Sequence, residues 1–202
     1  LVLPDPIAPN DLRFGKKTRP ARCRNQRRLN VADAVVDAEQ RHALADDDDD
    51  RSDDAPGGSL LMIYLDTSAA VPMFVPEPAS PAIEAWFESC TEPLVSSDWI
   101  VTEFSSALSI KVRKGEISAR QAQAAWKDFD AFCKSGLRLL PVSRKAFTEA
   151  AGMARNAASG LRSGDVLHLA MALEAGASGI ATADETLAKN AKANGLAVSQ
   201  II

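Results

Sequence analysis

Four acidic residues, Asp66, Glu103, Asp165 and Asp184, each stand at the edge of a strongly apolar segment of this chain. Asp66 ends the run Met62-Ile63-Tyr64-Leu65, and Asp184 follows Gly179-Ile180-Ala181-Thr182-Ala183. Both therefore read as residues just past a buried strand, where open α/β sheets place their ligands. Carboxylates gathered at such an edge repel one another by about 4 kcal/mol per pair at 4 Å and an effective dielectric of 20, so they must protonate or hold cations. A divalent metal is the simplest resolution.

Each acid also has an ordinary reading. On a helix, Ile100, Phe104, Ala107 and Leu108 share one face with Glu103 inside the stripe, and a carboxylate aimed at a core needs a partner unless it sits at the rim and reaches solvent. Asp165 opens the apolar helix Val166 to Leu173, where an acid in the first turn satisfies free N–H groups and the helix dipole. Asp184 has the same reading before Glu185-Thr186-Leu187, and Asp66 could merely start an Asp-Thr-Ser turn. What favours a site is coincidence: a parallel sheet would bring all four together although 37, 62 and 19 residues separate them. Thr67, Ser68 and Thr182 are candidates to orient the carboxylates by hydrogen bonds. His168, alone on an apolar helix, reads as a satisfied core residue and is left out of the metal set.

The elements that must position these residues are legible from Met62 onward. Apolar runs alternate with helical patterns, the signature of βαβ units and a parallel sheet. The pattern predicts strands near 62–66, 93–96, 137–142, 178–182 and 197–201. Helices are predicted near 68–74, 79–90, 97–113, 117–134, 144–158, 165–176 and 184–194. Ser118, Ser143 and Asp184 are expected as N-caps, and Gly115, Gly136, Gly176 and Gly195 as stops.

Residues 1–61 have a different texture. Eight Lys or Arg face two Asp in residues 1–30, then two Arg face ten acids in residues 31–61, with Asp46 to Asp50 unbroken. Such blocks self-repel and cannot bury enough apolar surface to order themselves, so a disordered head or an over-extended gene start is expected, with the folded domain at 62–202. The full chain of 202 residues is 46% apolar, enough for a real core. A net charge of −4 argues against nucleic-acid binding through bulk positive charge. Cys23, Cys90 and Cys133 form no C-x-x-C pair, so neither a disulfide framework nor a cysteine zinc site is supported, and a cytoplasmic location is expected. No run approaches the roughly 18 apolar residues of a membrane span.

Four blocks in register resemble the PIN-domain ribonucleases, and in particular the VapC toxins of toxin–antitoxin pairs. They are Met62 to Ala69, Ser96 to Leu108 around Glu103, Leu161-Arg162-Ser163-Gly164-Asp165-Val166-Leu167-His168-Leu169-Ala170, and Thr182 to Ala188. The departures are the 61-residue head and Glu185, where related chains often carry a basic residue. The resemblance implies a three-layer α/β/α domain with a central parallel sheet whose acidic pocket binds Mg²⁺, or Mn²⁺ in its place, and cuts RNA phosphodiesters. It assigns Asp66, Glu103 and Asp165 to the main ion and Asp184 to a second ion or a bound water. It also implies a small antitoxin partner and a homodimer. An Asp/Glu cluster without Cys or paired His suits such a hard cation. Arg113, Lys114 and Arg162 are candidates for phosphate contact. Val71, Met73, Phe74, Ile83, Trp86 and Phe87 serve either as core or as a groove for a partner helix.

Other readings have less support. An aspartyl-nucleophile phosphohydrolase needs a second Asp two positions after Asp66, where this chain has Ser68, and a flavodoxin-like binding domain needs glycine in the loop Asp66 to Pro72, which has none. A free-standing RNA-processing nuclease or a catalytically silent interaction module of the same fold remain the alternatives.

Overall fold

The computed structural model describes residues 61–201; the charged head expected to be disordered lies outside the described residues. Five strands, β1 (Ile63–Leu65), β2 (Leu94–Ser97), β3 (Arg138–Leu140), β4 (Gly179–Thr182) and β5 (Ala197–Gln200), form one sheet in the order β3-β2-β1-β4-β5. Every pairing is parallel, with Tyr64 opposite Val95 on one side and Ile180 on the other. The helices are α1 (Thr67–Phe74), α2 (Ser80–Ser89), α3 (Trp99–Arg113), α4 (Ala119–Ser135), α5 (Arg144–Ala154), α6 (Ser163–Glu174) and α7 (Glu185–Ala193).

Strand side chains alternate between faces with period two, and the two faces feed separate cores. Leu65, Leu94 and Ala181 pack with Ile83, Ile100, Phe104, Phe129 and Phe132 from α2, α3 and α4. Tyr64, Val95 and Ile180 pack with Ala146, Leu169, Met171 and Leu187 from α5, α6 and α7. Helices therefore cover both faces of the parallel sheet that the alternating pattern predicts, the three-layer arrangement that the resemblance implies. An aromatic stack anchors the first core, with the Phe104 and Phe129 centroids 3.9 Å apart and Phe74 edge-on to both. Burying each such ring contributes roughly 1.5–3 kcal/mol. Val71 and Ile83 are fully committed to this core, and Met73, Phe74, Trp86 and Phe87 pack against it, so these residues serve as core in the chain.

Ser118, Ser143 and Asp184 cap α4, α5 and α7 through backbone N–H groups at Gln121, Ala146 and Leu187. Gly115, Gly176 and Gly195 stop helices in the left-handed region, whereas Gly136 ends α4 at φ −122°. Most boundaries fall within one or two residues of expectation, and the 165–176 helix is shifted to Ser163–Glu174. Two differences have a visible cause. The helix expected to reach 158 ends at Ala154, because the Asn156 side chain accepts from Ala158 N–H and starts a separate 3-10 turn at Ala157–Ser159. Ser97, expected in α3, extends β2 because Ser96 and Ser97 pair with Leu139 and Leu140.

Candidate active site

The chain runs from β1 outward to β2 and β3, then returns to place β4 on the other side of β1. This reversal is the point at which open parallel sheets leave a crevice beyond the strand ends. Asp66 follows β1 there and caps α1, its Oδ2 accepting from Ser68 N–H at 3.2 Å. The same oxygen accepts from the Thr182 hydroxyl at 2.8 Å and from the Ser68 hydroxyl. Ser68 Oγ accepts from Ala183 N–H and Thr182 Oγ1 from Asp184 N–H, so these two hydroxyls lace β1, β4 and the start of α7 together. Asp66 is 4% exposed. With Oδ2 fully engaged, Oδ1 is the oxygen left to meet a ligand.

Glu103 projects from the middle of α3, one position before the buried Phe104. Its Oε2 accepts from the Thr67 hydroxyl at 2.6 Å and lies 2.6 Å from His168 Nε2, while the side chain keeps 27% of its surface exposed. Both ordinary readings are met in part: the residue sits at the rim, and its carboxylate reaches inward to partners. Burial raises its pKa, but the hydrogen bonds and charge of His168 and the hydroxyl of Thr67 outweigh this and hold it below the usual carboxylate value.

His168, on α6, is 1% exposed. Its Nδ1 lies 3.0 Å from the Tyr64 hydroxyl, which donates to Ser97 Oγ. Its Nε2 faces Glu103, Thr67 at 3.1 Å and Asp66 Oδ1 at 3.5 Å. Burial disfavours the charged ring, yet Tyr64, the Glu103 hydrogen bond and the nearby carboxylates raise its pKa to about 10. The sequence reading of a satisfied buried histidine holds, but the partners that satisfy it are the site itself. Asp66, Glu103 and His168 each offer a ligand atom within 4.8 Å of the others. The available signal was spacing, since His168 lies at i+3 from Asp165 and so on the same side of α6.

Asp165 accepts from Arg162 N–H at 2.8 Å, the capping role expected of it. Burial raises its pKa, and the charges of Asp184, Asp66 and Glu103 raise it further. The four acids thus share one field. All four line a single pocket with Thr67 and Ser68 and, from α3, Ser106, Ala107 and Ile110. Arg113, Lys114 and Arg162 are not among its walls; Arg113 instead bonds Ser109 of its own helix and Lys114 lies beside Glu116.

The pocket gathers four carboxylates beside one buried histidine, so the ligand atoms it presents are mostly oxygens. That donor set fits a hard divalent cation. Among the described residues, no helix is long and apolar enough to cross a membrane.

The PIN domain profile matches residues 63–193. No curated protein matches the sequence significantly. Among solved structures, the fold is similar to that of Mycobacterium tuberculosis VapC20, a Sarcin-Ricin loop cleaving toxin, at 16% identity and a TM-score of 0.53 over 66% of this chain and 95% of that one. It is similar to VapBC2 from Rickettsia felis, bound to a DNA fragment from its promoter, at 17% identity and 0.52 over 69% and 98%. FitAcB from Neisseria gonorrhoeae gives 19% identity and 0.50 over 68% and 96%. Four acids converging beyond the switch point of a five-stranded parallel sheet, in a segment the profile spans almost end to end, make this chain a member of the PIN domain family, with VapC-like architecture.

Proposed function

We propose that this protein is a metal-dependent endoribonuclease acting as the toxin of a toxin–antitoxin pair. The observation that carries the reading is the convergence of Asp66, Glu103, Asp165 and Asp184 on one pocket whose mutual repulsion already registers at Asp165. A polyanionic RNA cannot approach four carboxylates unless a cation stands between them. Asp66 through Oδ1 and Glu103 through Oε1 would hold that cation, Mg²⁺ or Mn²⁺, with Asp165 and Asp184 completing the ring or serving a second ion. Bound there, a divalent ion supplies a lowered pKa for an attacking water and neutralises charge on the phosphodiester.

The chain's own residues do the rest. Ser68 and Thr182 fix Asp66, Thr67 and His168 fix Glu103, and Arg162 N–H fixes Asp165, so the oxygens are oriented before any ligand arrives. The toxin role extends to this chain from VapC20 and the VapBC2 complex. An antitoxin that presents an Arg or Lys to the pocket would neutralise it and compete with the metal. Dimerisation and action on cytoplasmic RNA belong to the same reading.

Expression tests it. Producing the chain alone should arrest growth, its Asp66→Asn form should not, and co-expression of an adjacent small antitoxin gene should rescue. Equal growth of all three strains at equal protein levels defeats the toxin role, and purified protein that leaves RNA intact with Mg²⁺ or Mn²⁺ defeats the nuclease.

A further inference from the structure

Gly164 is the second residue of α6, and its backbone is not in the left-handed region that favours glycine. Glycine there weakens the helix relative to alanine without any conformational need. The need is spatial. A Cβ placed at Gly164 would overlap Glu103 Oε1 and would lie 3.6 Å from Trp99 Nε1, whereas the helical Gly152 of α5 would meet only the tip of Arg155 at 3.9 Å. Glu103 cannot retreat freely, because its Oε2 is held at 2.6 Å by both Thr67 and His168. Trp99 Nε1, buried, borders the same slot, and its N–H faces the Glu103 carboxylate and helps hold it charged.

We infer that Gly164 is a positioning residue, whose missing side chain reserves the space that Glu103 Oε1 needs to serve the cation site. The inference rests on the ribonuclease reading for what Glu103 does, and on geometry alone for how it is held. The slot has three sides: Thr67 and His168 fix one carboxylate oxygen, and Gly164 leaves room for the other. A methyl group at 164 would rotate the carboxylate away from both anchors.

The test is a cycle of full-length variants: Gly164→Ala, Glu103→Asp, the double variant, and Gly152→Ala as a control, each measured for Mn²⁺ affinity, RNA cleavage and metal-free melting temperature. Gly164→Ala should bind Mn²⁺ about tenfold or more weakly, and kcat should fall while KM changes little. Gly152→Ala should leave both intact. Because Asp is one methylene shorter, it vacates the slot, so adding Gly164→Ala to Glu103→Asp should cost nothing further in Mn²⁺ affinity. Gly164→Ala binding Mn²⁺ within twofold of wild type, or strictly additive effects in the cycle, overturns the proposal. If Gly164→Ala does not fold, Glu103→Asp must restore folding, and a double variant that stays unfolded overturns it too. A wild-type chain that takes up no Mn²⁺ removes the cation reading instead, and the metal-free melting cycle then decides whether positions 103 and 164 are coupled.

Discussion

Asp165 carries two loads at once. Its carboxylate caps α6 through Arg162 N–H, yet burial and then the charges of Asp184, Asp66 and Glu103 raise its pKa. An acid whose folded pKa is raised opposes folding once it ionises. Asp165→Asn keeps an acceptor for the cap and removes the charge. The metal-free melting temperature should therefore rise by a few degrees while RNA cleavage falls by on the order of 10² or more. A lower metal-free melting temperature in differential scanning calorimetry would count against a strained cluster. His168 titrates with the opposite sign. Its folded pKa, about 10, lies above that of a free imidazole, so its contribution to stability is complete below about pH 6.5 and is lost as pH rises toward 10. The melting-temperature advantage of wild type over His168→Gln should shrink steadily across that interval. A constant offset from pH 6 to 9.5 would show that the ring is neutral in the metal-free fold. The acids were legible in the sequence because each interrupts an apolar run. The role of His168 was not, because its partners lie 65 to 104 residues away on three other elements.

At the scale of elements, the site depends on a seam between strand ends. Thr182, the last residue of β4, donates to Asp66 and accepts from Asp184 N–H, so one buried hydroxyl joins β1, β4 and α7. Thr182→Val retains the shape and strips the hydroxyl, leaving a buried carboxylate short of a donor and an N–H without its acceptor. The cost should be about 1–3 kcal/mol, read as a drop of several degrees in melting temperature, with cleavage impaired alongside. A variant as stable and active as wild type would mean the seam is ornamental. Most of this layer was readable in advance: buried strands of a parallel sheet write themselves as short apolar runs, and Ser118 and Ser143 announce their helices by capping. The boundary at Ala154 was hidden, since alanines on both sides favour helix and only the Asn156 side chain, bonding its own neighbourhood, breaks it. The extension of β2 through Ser97 was hidden for a different reason. It follows from pairing with Leu140, a contact no local pattern encodes.

For the molecule as a whole, a sheet covered on both faces leaves only the strand ends free to build a pocket, and the order β3-β2-β1-β4-β5 puts the crevice between β1 and β4. The two cores flank that crevice, which explains how α3 and α6, from opposite layers, meet through Glu103 and His168. With the folded domain proposed to begin at Met62, deleting residues 1–61 should leave the melting temperature within a degree or two, and a drop of several degrees would move the domain boundary. The central claim, that the acid pocket cuts RNA through a divalent cation, meets its most direct test in the cleavage rate of a labelled RNA against Mn²⁺ concentration. Wild type should show a rate that rises with Mn²⁺ to saturation and vanishes in EDTA, and Asp66→Asn should stay at least about 10²-fold slower at every concentration. Cleavage that persists undiminished in EDTA, or proceeds at the wild-type rate in Asp66→Asn, would contradict it.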